Sequence, residues 1–164
     1  MILNRKNINA LWTDRLNGRP VRIFQPRVDI NGLPNAKMLS IKLTQKYTRI
    51  DFEFQLEASG IRVPDFTISP KIKIITPADR STYTAEKDHF LIHSENAPIA
   101  PKKFRPKSED DRLYFTLFFE PLPMYTLDFD MVESDDEEYN IWMNYYDINL
   151  RKGQRTWEIK NSEN

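Results

Sequence analysis

The stretch that decides the fold is FTLFFEPLPMYTLDFDMVES, Phe115–Ser134, in which two alternating apolar runs are joined by Pro-Leu-Pro. In the first run Phe115, Leu117 and Phe119 fall on one face of a strand, while the opposite face is apolar as well. A strand that is apolar on both faces is typically central in a sheet and covered on both sides. The second run, Leu127–Met131, alternates cleanly with polar residues, which predicts a half-buried strand.

The prolines between these runs predict architecture rather than chemistry. Pro121 and Pro123 each fix φ and remove an amide donor, so they end the first strand and stiffen the crossover to the second. The segment therefore predicts two strands of one β domain with a rigid connection.

Upstream, the clearest alternation lies in 49–57, where apolar and polar side chains exchange at every position. Just before it, Leu39, Ile41 and Leu43 fall on one face of a second alternating run. Only a short polar turn at Gln45-Lys46 separates the runs. They are therefore predicted to be antiparallel neighbours.

The middle of the chain gives weaker strand patterns. Residues 68–77 contain several isoleucines but are interrupted by Pro70 and Pro77, which predicts an edge or bulged strand because proline cannot donate to a sheet ladder. A short strand is expected at Phe90–Ile92. The proline-rich and charged segment 94–111 is typical of a long loop.

The last predicted strand covers 139–150, where a change of apolar phase predicts a bulge near Asn144 or Tyr145. Seven or so strands with turn residues between them predict an all-β, two-sheet antiparallel β-sandwich. A helical period is nowhere sustained, and only 7–16 could form a short helical turn.

Length and composition bound the class of protein. A chain of 164 residues with 40% hydrophobic and 29% charged residues is typical of one globular domain. Its 24 basic and 24 acidic residues balance, so no global charge draws it to nucleic acid or membrane. With no cysteine, disulfides and thiolate chemistry are excluded.

The N-terminal residues contain no apolar region of signal-peptide length, and no window is apolar enough for a membrane span. The sequence as given therefore predicts a cytoplasmic location. An exported or periplasmic location would follow if a signal peptide had been trimmed.

We divide the chain into an N-terminal arm (1–35), a β-sandwich domain (36–150) and a polar C-terminal tail (151–164). The arm holds six basic and two acidic residues, a balance of +4. Within it, Val21–Phe24 is expected to pair as an edge strand, and 1–16 to reach across the domain or onto a neighbour.

The runs SIKLTQKYTRIDFEF (Ser40–Phe54), FTLFFEPLP (Phe115–Pro123) and Leu127–Glu133, with a closing aromatic-rich strand, together resemble an uncharacterised immunoglobulin-like β-sandwich domain of Bacteroides-type bacteria. The resemblance covers 36–150, and its most specific element is Phe-x-Leu-x-Phe-x-Pro-Leu-Pro. It implies an immunoglobulin-like sandwich that occurs alone or ahead of other domains. It implies no catalytic residues, because the family has no established chemistry.

Candidate metal ligands are few. His89 and His93 would share a face of a helix, but on a strand they are about 13 Å apart, too far to bind one ion. We expect ordinary surface or rim histidines. The acidic residues of 128–138 could present carboxylates to calcium, but they lack the spacing and the glycine of a calcium loop. A solvated acidic loop is the preferred interpretation, with a divalent-ion site or a docking patch for a basic partner as alternatives.

Catalytic and nucleotide sites are also disfavoured. The chain has no G-x-S-x-G elbow, and its four glycines are too scattered to form a phosphate-binding loop. Lys102, Lys103, Arg105 and Lys107 flank Phe104, a weak pattern for single-stranded nucleic acid that neighbouring acids offset. The sequence thus predicts a protein that is not an enzyme and has no cofactor or metal. It also disfavours nucleic acid as a partner.

The function expected from these observations is protein contact, as a subunit or accessory module of a larger assembly or through self-association. The candidate partner-binding residues are two tryptophans in polar segments and an acidic run that could also attract the arm. They are Trp12, Trp157, Asp135, Asp136, Glu137 and Glu138. The alternative is a small-ligand or carbohydrate-binding sandwich that uses the ring cluster Trp142, Tyr145 and Tyr146.

Overall fold

The computed structural model describes residues 21–24, 36–55, 65–81, 83–108, 110–123, 125–134, 143–150 and 157–159, with side chains in all but the first and last of these segments. The strands are β1 (Val21–Phe24), β2 (Ala36–Leu43), β3 (Thr48–Gln55), β4 (Lys73–Thr76), β5 (Lys87–Glu95), β6 (Arg112–Phe119), β7 (Asp128–Val132), β8 (Tyr145–Asn149) and β9 (Trp157–Ile159). The described residues form no helix. None of them therefore belongs to a helix that could cross a membrane.

The nine strands follow one another in the order β8-β7-β4-β5-β6-β3-β2-β1-β9, and every neighbouring pair is antiparallel. The prediction of an all-β antiparallel fold is confirmed, as is the pairing of the two runs that became β2 and β3. β5 connects the two parts of the sheet, because its Lys87–Phe90 segment pairs with β4 and its Leu91–Glu95 segment pairs with β6.

β6 lies between β5 and β3, as its two apolar faces predicted. Phe115, Leu117 and Phe119 are buried in the core. On the opposite face, Phe118 is half-buried beneath the Arg49 guanidinium, whose carbon lies 5.7 Å from the ring centre. The Arg49 side chain of the neighbouring strand thus covers part of this second face.

One core lies inside the curled sheet. The rings of Phe52 and Phe115 stack with centres 5.1 Å apart. Tyr145 of β8 lies with its ring centre 6.0 Å from that of Phe52, and its hydroxyl donates to the carbonyl of Ala36 in β2. β8 and β2 are far apart in the strand order, so this contact requires the sheet to curl until distant strands meet across the core.

Two isoleucines and the Pro-Leu-Pro crossover complete the core from outside the strands. Ile68 and Ile72 are fully buried beside β4, and Leu122 of the Pro-Leu-Pro crossover is 2% exposed. The Leu122 amide donates to the Thr48 hydroxyl at 3.0 Å. The crossover is therefore an architectural joint, as its sequence predicted.

A bulge in β2 corrects one predicted face. Met38 pairs with Phe52 and Ser40 with Asp51, so Leu39 is an extra residue in the ladder. The bulge places Met38, not Leu39, on the buried face with Ile41 and Leu43. A strict two-residue period cannot anticipate the phase change that one inserted residue produces.

A second bulge lies slightly later than predicted. Phe129 pairs with Ile148 and Met131 with Tyr145, which leaves one extra residue in β8 at Tyr146 or Asp147 rather than near Asn144 or Tyr145. Asp147 has a φ of 54°, in the left-handed region. Aspartate is one of the few residues other than glycine that enters this region readily, so Asp147 suits the backbone conformation of the bulge.

Three predicted strand positions also change. β4 was expected to be an edge or bulged strand, but it pairs with both β5 and β7, because Pro70 and Pro77 lie outside its ends and remove no ladder bond. β1 forms as predicted, yet it is not an edge, since β9 pairs along its other side. The short strand expected at Phe90–Ile92 extends over the whole of β5.

Candidate functional site

A groove opens at one end of the sheet, where the β4–β5 hairpin faces the β6–β7 crossover. It encloses about 500 Å³, within the range of small-ligand sites. Its walls come from the end of β4, the hairpin loop, the start of β5, the crossover and the paired ends of β7 and β8. The lining residues are Thr76, Pro77, Ala78, Asp79, Arg80, Ser81, Thr84, Ala85, Lys87, Pro123, Tyr125, Thr126, Leu127, Asp128 and Asn149.

The hairpin wall is closed by its own hydrogen bonds. The amides of Asp79 and Thr84 each donate to the other's carbonyl, at 2.9 and 3.0 Å. The Asp79 carboxylate also accepts from the amide and the hydroxyl of Ser81, at 2.8 and 2.6 Å. Because these bonds close the loop on itself, this wall does not need a ligand to form.

Tyr83 stands at the tip of that hairpin. Its side chain is 95% exposed and its backbone has a φ of 55°. A bulky residue in the left-handed region costs on the order of 1–2 kcal/mol. The closed turn thus holds a large aromatic ring in water on the hairpin that forms one wall of the groove, in a conformation that tyrosine does not favour.

The opposite wall carries a second exposed tyrosine. The amide and the hydroxyl of Thr126 both donate to the Pro123 carbonyl, at 2.9 and 2.6 Å, which closes a turn after Pro-Leu-Pro. Tyr125 lies within that turn, lines the groove and is 55% exposed. The rigid crossover therefore positions an aromatic side chain, in addition to ending β6.

Charges in the groove balance. Among its described lining residues, Arg80 and Lys87 contribute two positive charges, and Asp79 and Asp128 contribute two negative charges. The remaining polar groups are hydroxyls and one amide. The groove therefore has no net field that would favour a strongly charged ligand.

His89 lies directly behind the groove, and the expectation of a surface or rim position is wrong for it. Its side chain is 1% exposed, and its Nε2 is 3.0 Å from the hydroxyl of Thr76. Burial, aided by the positive charge of Lys87, lowers the pKa of His89 below its ordinary value. His93 is exposed as expected, because an extra residue at Ile92 shifts its pairing relative to Leu91.

A second surface feature lies on the outer face of the sheet. The apolar residues Ile75, Phe90, Ile92 and Phe118 occupy the neighbouring strands β4, β5 and β6, and we call them the β5 strip. Phe90 and Ile92 are each 54% exposed, although β5 is an interior strand. Exposed large apolar side chains grouped on a sheet face mark a contact surface more often than scattered ones do.

Charged pairs border both ends of the β5 strip. Beside Phe90, the Lys73 ammonium lies 2.7 Å from the Asp88 carboxylate. Beyond Ile92, His93 Nε2 lies 3.9 Å from the Glu95 carboxylate. The strip is thus an apolar centre bordered by the Lys73–Asp88 ion pair at one end and by the His93–Glu95 contact at the other.

Glu133 differs from the other acids of 128–138, with which it was grouped as a solvated loop. It is 6% exposed, and its carboxylate accepts from the amides of Ser69 and Met143 at 2.7 and 2.6 Å. Burial raises the pKa of Glu133, while these two amide bonds oppose the rise. Its role is to connect two loops to β7, so it is unavailable to a calcium ion at the surface.

The predicted partner-binding residues mostly lie outside the described residues. This holds for Trp12 and for the acidic run Asp135–Glu138, and also for the helical turn expected at 7–16. Trp157 belongs to β9, where its backbone pairs with Ile23.

The structure buries one of the three rings of the cluster proposed for small ligands. Tyr145 is 2% exposed and belongs to the core, whereas Tyr146 is 47% exposed. Trp142 lies outside the described residues. Alternation along β8 explains the difference, because successive side chains point to opposite faces of a strand.

The basic loop around Phe104 also packs on the core and forms ion pairs within the domain. The Phe104 ring packs edge-on against Phe54, with centres 6.1 Å apart. Lys103 and Arg105 lie 3.8 and 3.1 Å from the Asp65 carboxylate. An aromatic ring that packs on the core is a poor stacking platform for a base.

Sequence reasoning missed the residues that the structure makes most prominent, namely Tyr83, Tyr125 and the exposed side chains of β5. One indication was present: both tyrosines fall in turn segments between strands, where an aromatic side chain has no core to enter. The groove could not be anticipated, because it depends on two loops that are about 40 residues apart in the chain. No family model matches the chain, and no curated protein or solved structure matches it either.

Proposed function

We propose that this chain is a non-catalytic β domain that acts through protein contacts, as a subunit or accessory module of a larger assembly. The observation that carries the proposal is the β5 strip, in which Phe90 and Ile92 remain more than half exposed on an interior strand. Interfaces typically have an apolar centre within a polar rim, which is the arrangement found here.

A second copy of this chain is the first partner that the strip fits. In a two-fold contact the same patch meets itself, so it must be self-complementary. The strip meets this requirement because each end carries both a positive or protonatable group and a carboxylate, at Lys73–Asp88 and at His93–Glu95. The balanced charge of the whole chain also provides no net repulsion between copies.

The absence of catalysis is part of the same proposal, and the buried ionisable groups support it. Glu133 and His89 are engaged in bonds that connect strands and loops. Within the described ranges, no three or more His, Asp or Glu side chains are grouped so that they could hold a metal ion. These groups are therefore accounted for by the fold.

We also propose the finer architecture, an immunoglobulin-like sandwich of two layers, and with it the resemblance to the Bacteroides-type domain. Support comes from β5, which leaves β4 and joins β6 halfway along its length, and from the Tyr145–Ala36 contact across the core. We propose as additional partner-binding residues Trp12, Trp157 and the acidic run Asp135–Glu138.

Light scattering coupled to size-exclusion chromatography tests the proposal. Over a series of protein concentrations, the wild-type mass should rise from 19.5 kDa toward twice that value. The double variant Phe90→Ser/Ile92→Ser should remain monomeric, while Tyr146→Ser, a similarly exposed residue outside the strip, should assemble as wild type does. A wild-type monomer at every concentration would contradict self-association, and a double variant that still assembles would exclude the strip.

A further inference from the structure

We infer that the groove between the β4–β5 hairpin and the Pro-Leu-Pro crossover is a binding site for an uncharged carbohydrate, such as a segment of a polysaccharide. The inference is independent of the proposed protein contact, because the groove and the β5 strip share no lining residue. Four properties of the groove support it: its volume, its exposed rings, its polar groups and its rigidity.

The two exposed tyrosines supply the apolar part of sugar recognition. A pyranose ring presents a face of C–H groups that packs well against an aromatic ring, while its hydroxyls remain at the edge. Tyr125 lines the groove at 55% exposure, and Tyr83 stands 95% exposed on the hairpin that forms the other wall. Tyrosine presents a large contact area at a low cost in conformational entropy, because its side chain has only two χ angles.

The polar lining fits hydroxyl groups better than it fits a charged ligand. Side-chain hydroxyls of Thr76, Ser81 and Thr84 lie along the groove, and Asp128 and Asn149 meet as a cross-strand pair at its base. Carboxylate, amide and hydroxyl groups together offer the mixed donors and acceptors that sugar hydroxyls require. The balanced charge of the lining disfavours phosphorylated or polyanionic ligands.

Both walls are fixed before any ligand arrives. The hairpin is closed by the reciprocal Asp79–Thr84 bonds, and the crossover by the two bonds from Thr126 to Pro123. A preformed site loses little conformational entropy on binding. An open groove of about 500 Å³ also suits an internal segment of a polysaccharide, because the rest of the polymer can extend out of both ends of the groove.

Affinity electrophoresis tests the inference. Native gels would contain, in turn, a soluble α-glucan, β-glucan, mannan or xylan, and migration would be compared with a gel without polymer. We expect at least one polymer to retard the wild-type protein. Tyr125→Ala should weaken that retardation about tenfold, Tyr125→Phe should preserve it because the ring remains, and Tyr83→Ala should weaken it less.

Two matched variants keep the result specific. Tyr146→Ala removes an equally exposed tyrosine outside the groove and should migrate as wild type does, and Phe90→Ser should leave retardation unchanged even if it abolishes self-association. Thermal melting checks that each variant is folded. The inference is overturned if none of the four polymers retards the wild-type protein, or if Tyr146→Ala weakens retardation as much as Tyr125→Ala.

Discussion

At the scale of single residues, the fold shifts the pKa values of two ionisable groups in opposite directions. The pKa of His89 is lowered by burial, whereas the pKa of Glu133 is raised by burial. His89 therefore contributes stability above its ordinary pKa, and this is lost as the pH falls through its folded value. Glu133 contributes most at low pH, and its contribution is lost as the pH rises through its raised folded value.

The pH dependence of His89 can be isolated with a matched pair of histidines in one strand. His89→Gln should reduce the loss of melting temperature between about pH 7 and about pH 5, because the variant removes the group whose protonation opposes folding. His93→Gln, at an exposed position on the same strand, is the matched control. The account of His89 is wrong if all three proteins lose the same melting temperature over this interval.

The positions of His89 and His93 also show a limit of prediction from sequence periodicity. His89 and His93 were both expected near the surface, because alternation places residues four apart on the same face of a strand. The extra residue at Ile92 breaks that alternation, so one histidine is buried and the other is exposed. Periodicity locates a strand, but it cannot locate a bulge that depends on the neighbouring strand.

At the scale of elements, sequence pattern predicted β2 and β3 as antiparallel neighbours and β6 as a central strand. These elements were predictable because their apolar spacing reports local burial directly. β4 was predicted as an edge or bulged strand because of the prolines near it. Apolar spacing does not reveal which strands pair over long separations, so the position of β4 between β5 and β7 required the structure.

The β8 bulge gives a prediction at this scale. Because Asp147 has a φ of 54°, Asp147→Gly should keep the free energy of unfolding within about 0.5 kcal/mol of wild type, whereas Asp147→Val should lose roughly 1–2 kcal/mol. Denaturant unfolding measures both. The adjacent substitution Tyr146→Val should change stability little, and equal stabilities for the glycine and valine variants at 147 would show that no left-handed residue is needed there.

At the scale of the whole molecule, the curled sheet produces two unlike surfaces from one core. Its outer face carries the β5 strip, and its end carries the groove between two closed loops. Neither surface was predictable, because each combines residues from elements that only the strand order brings together. We propose that the β5 strip is a contact surface on which two copies of the chain meet.

Distance measurement between spin labels tests that claim most directly. The chain has no cysteine, so His93→Cys or Arg80→Cys accepts a single label, beside the strip or in the groove. Since packed sheet faces lie about 10 Å apart, labels at 93 should show a short, well-defined distance between copies, and this signal should vanish when Phe90→Ser is added. No dipolar coupling at 93, or a shorter distance at 80 than at 93, would contradict the claim.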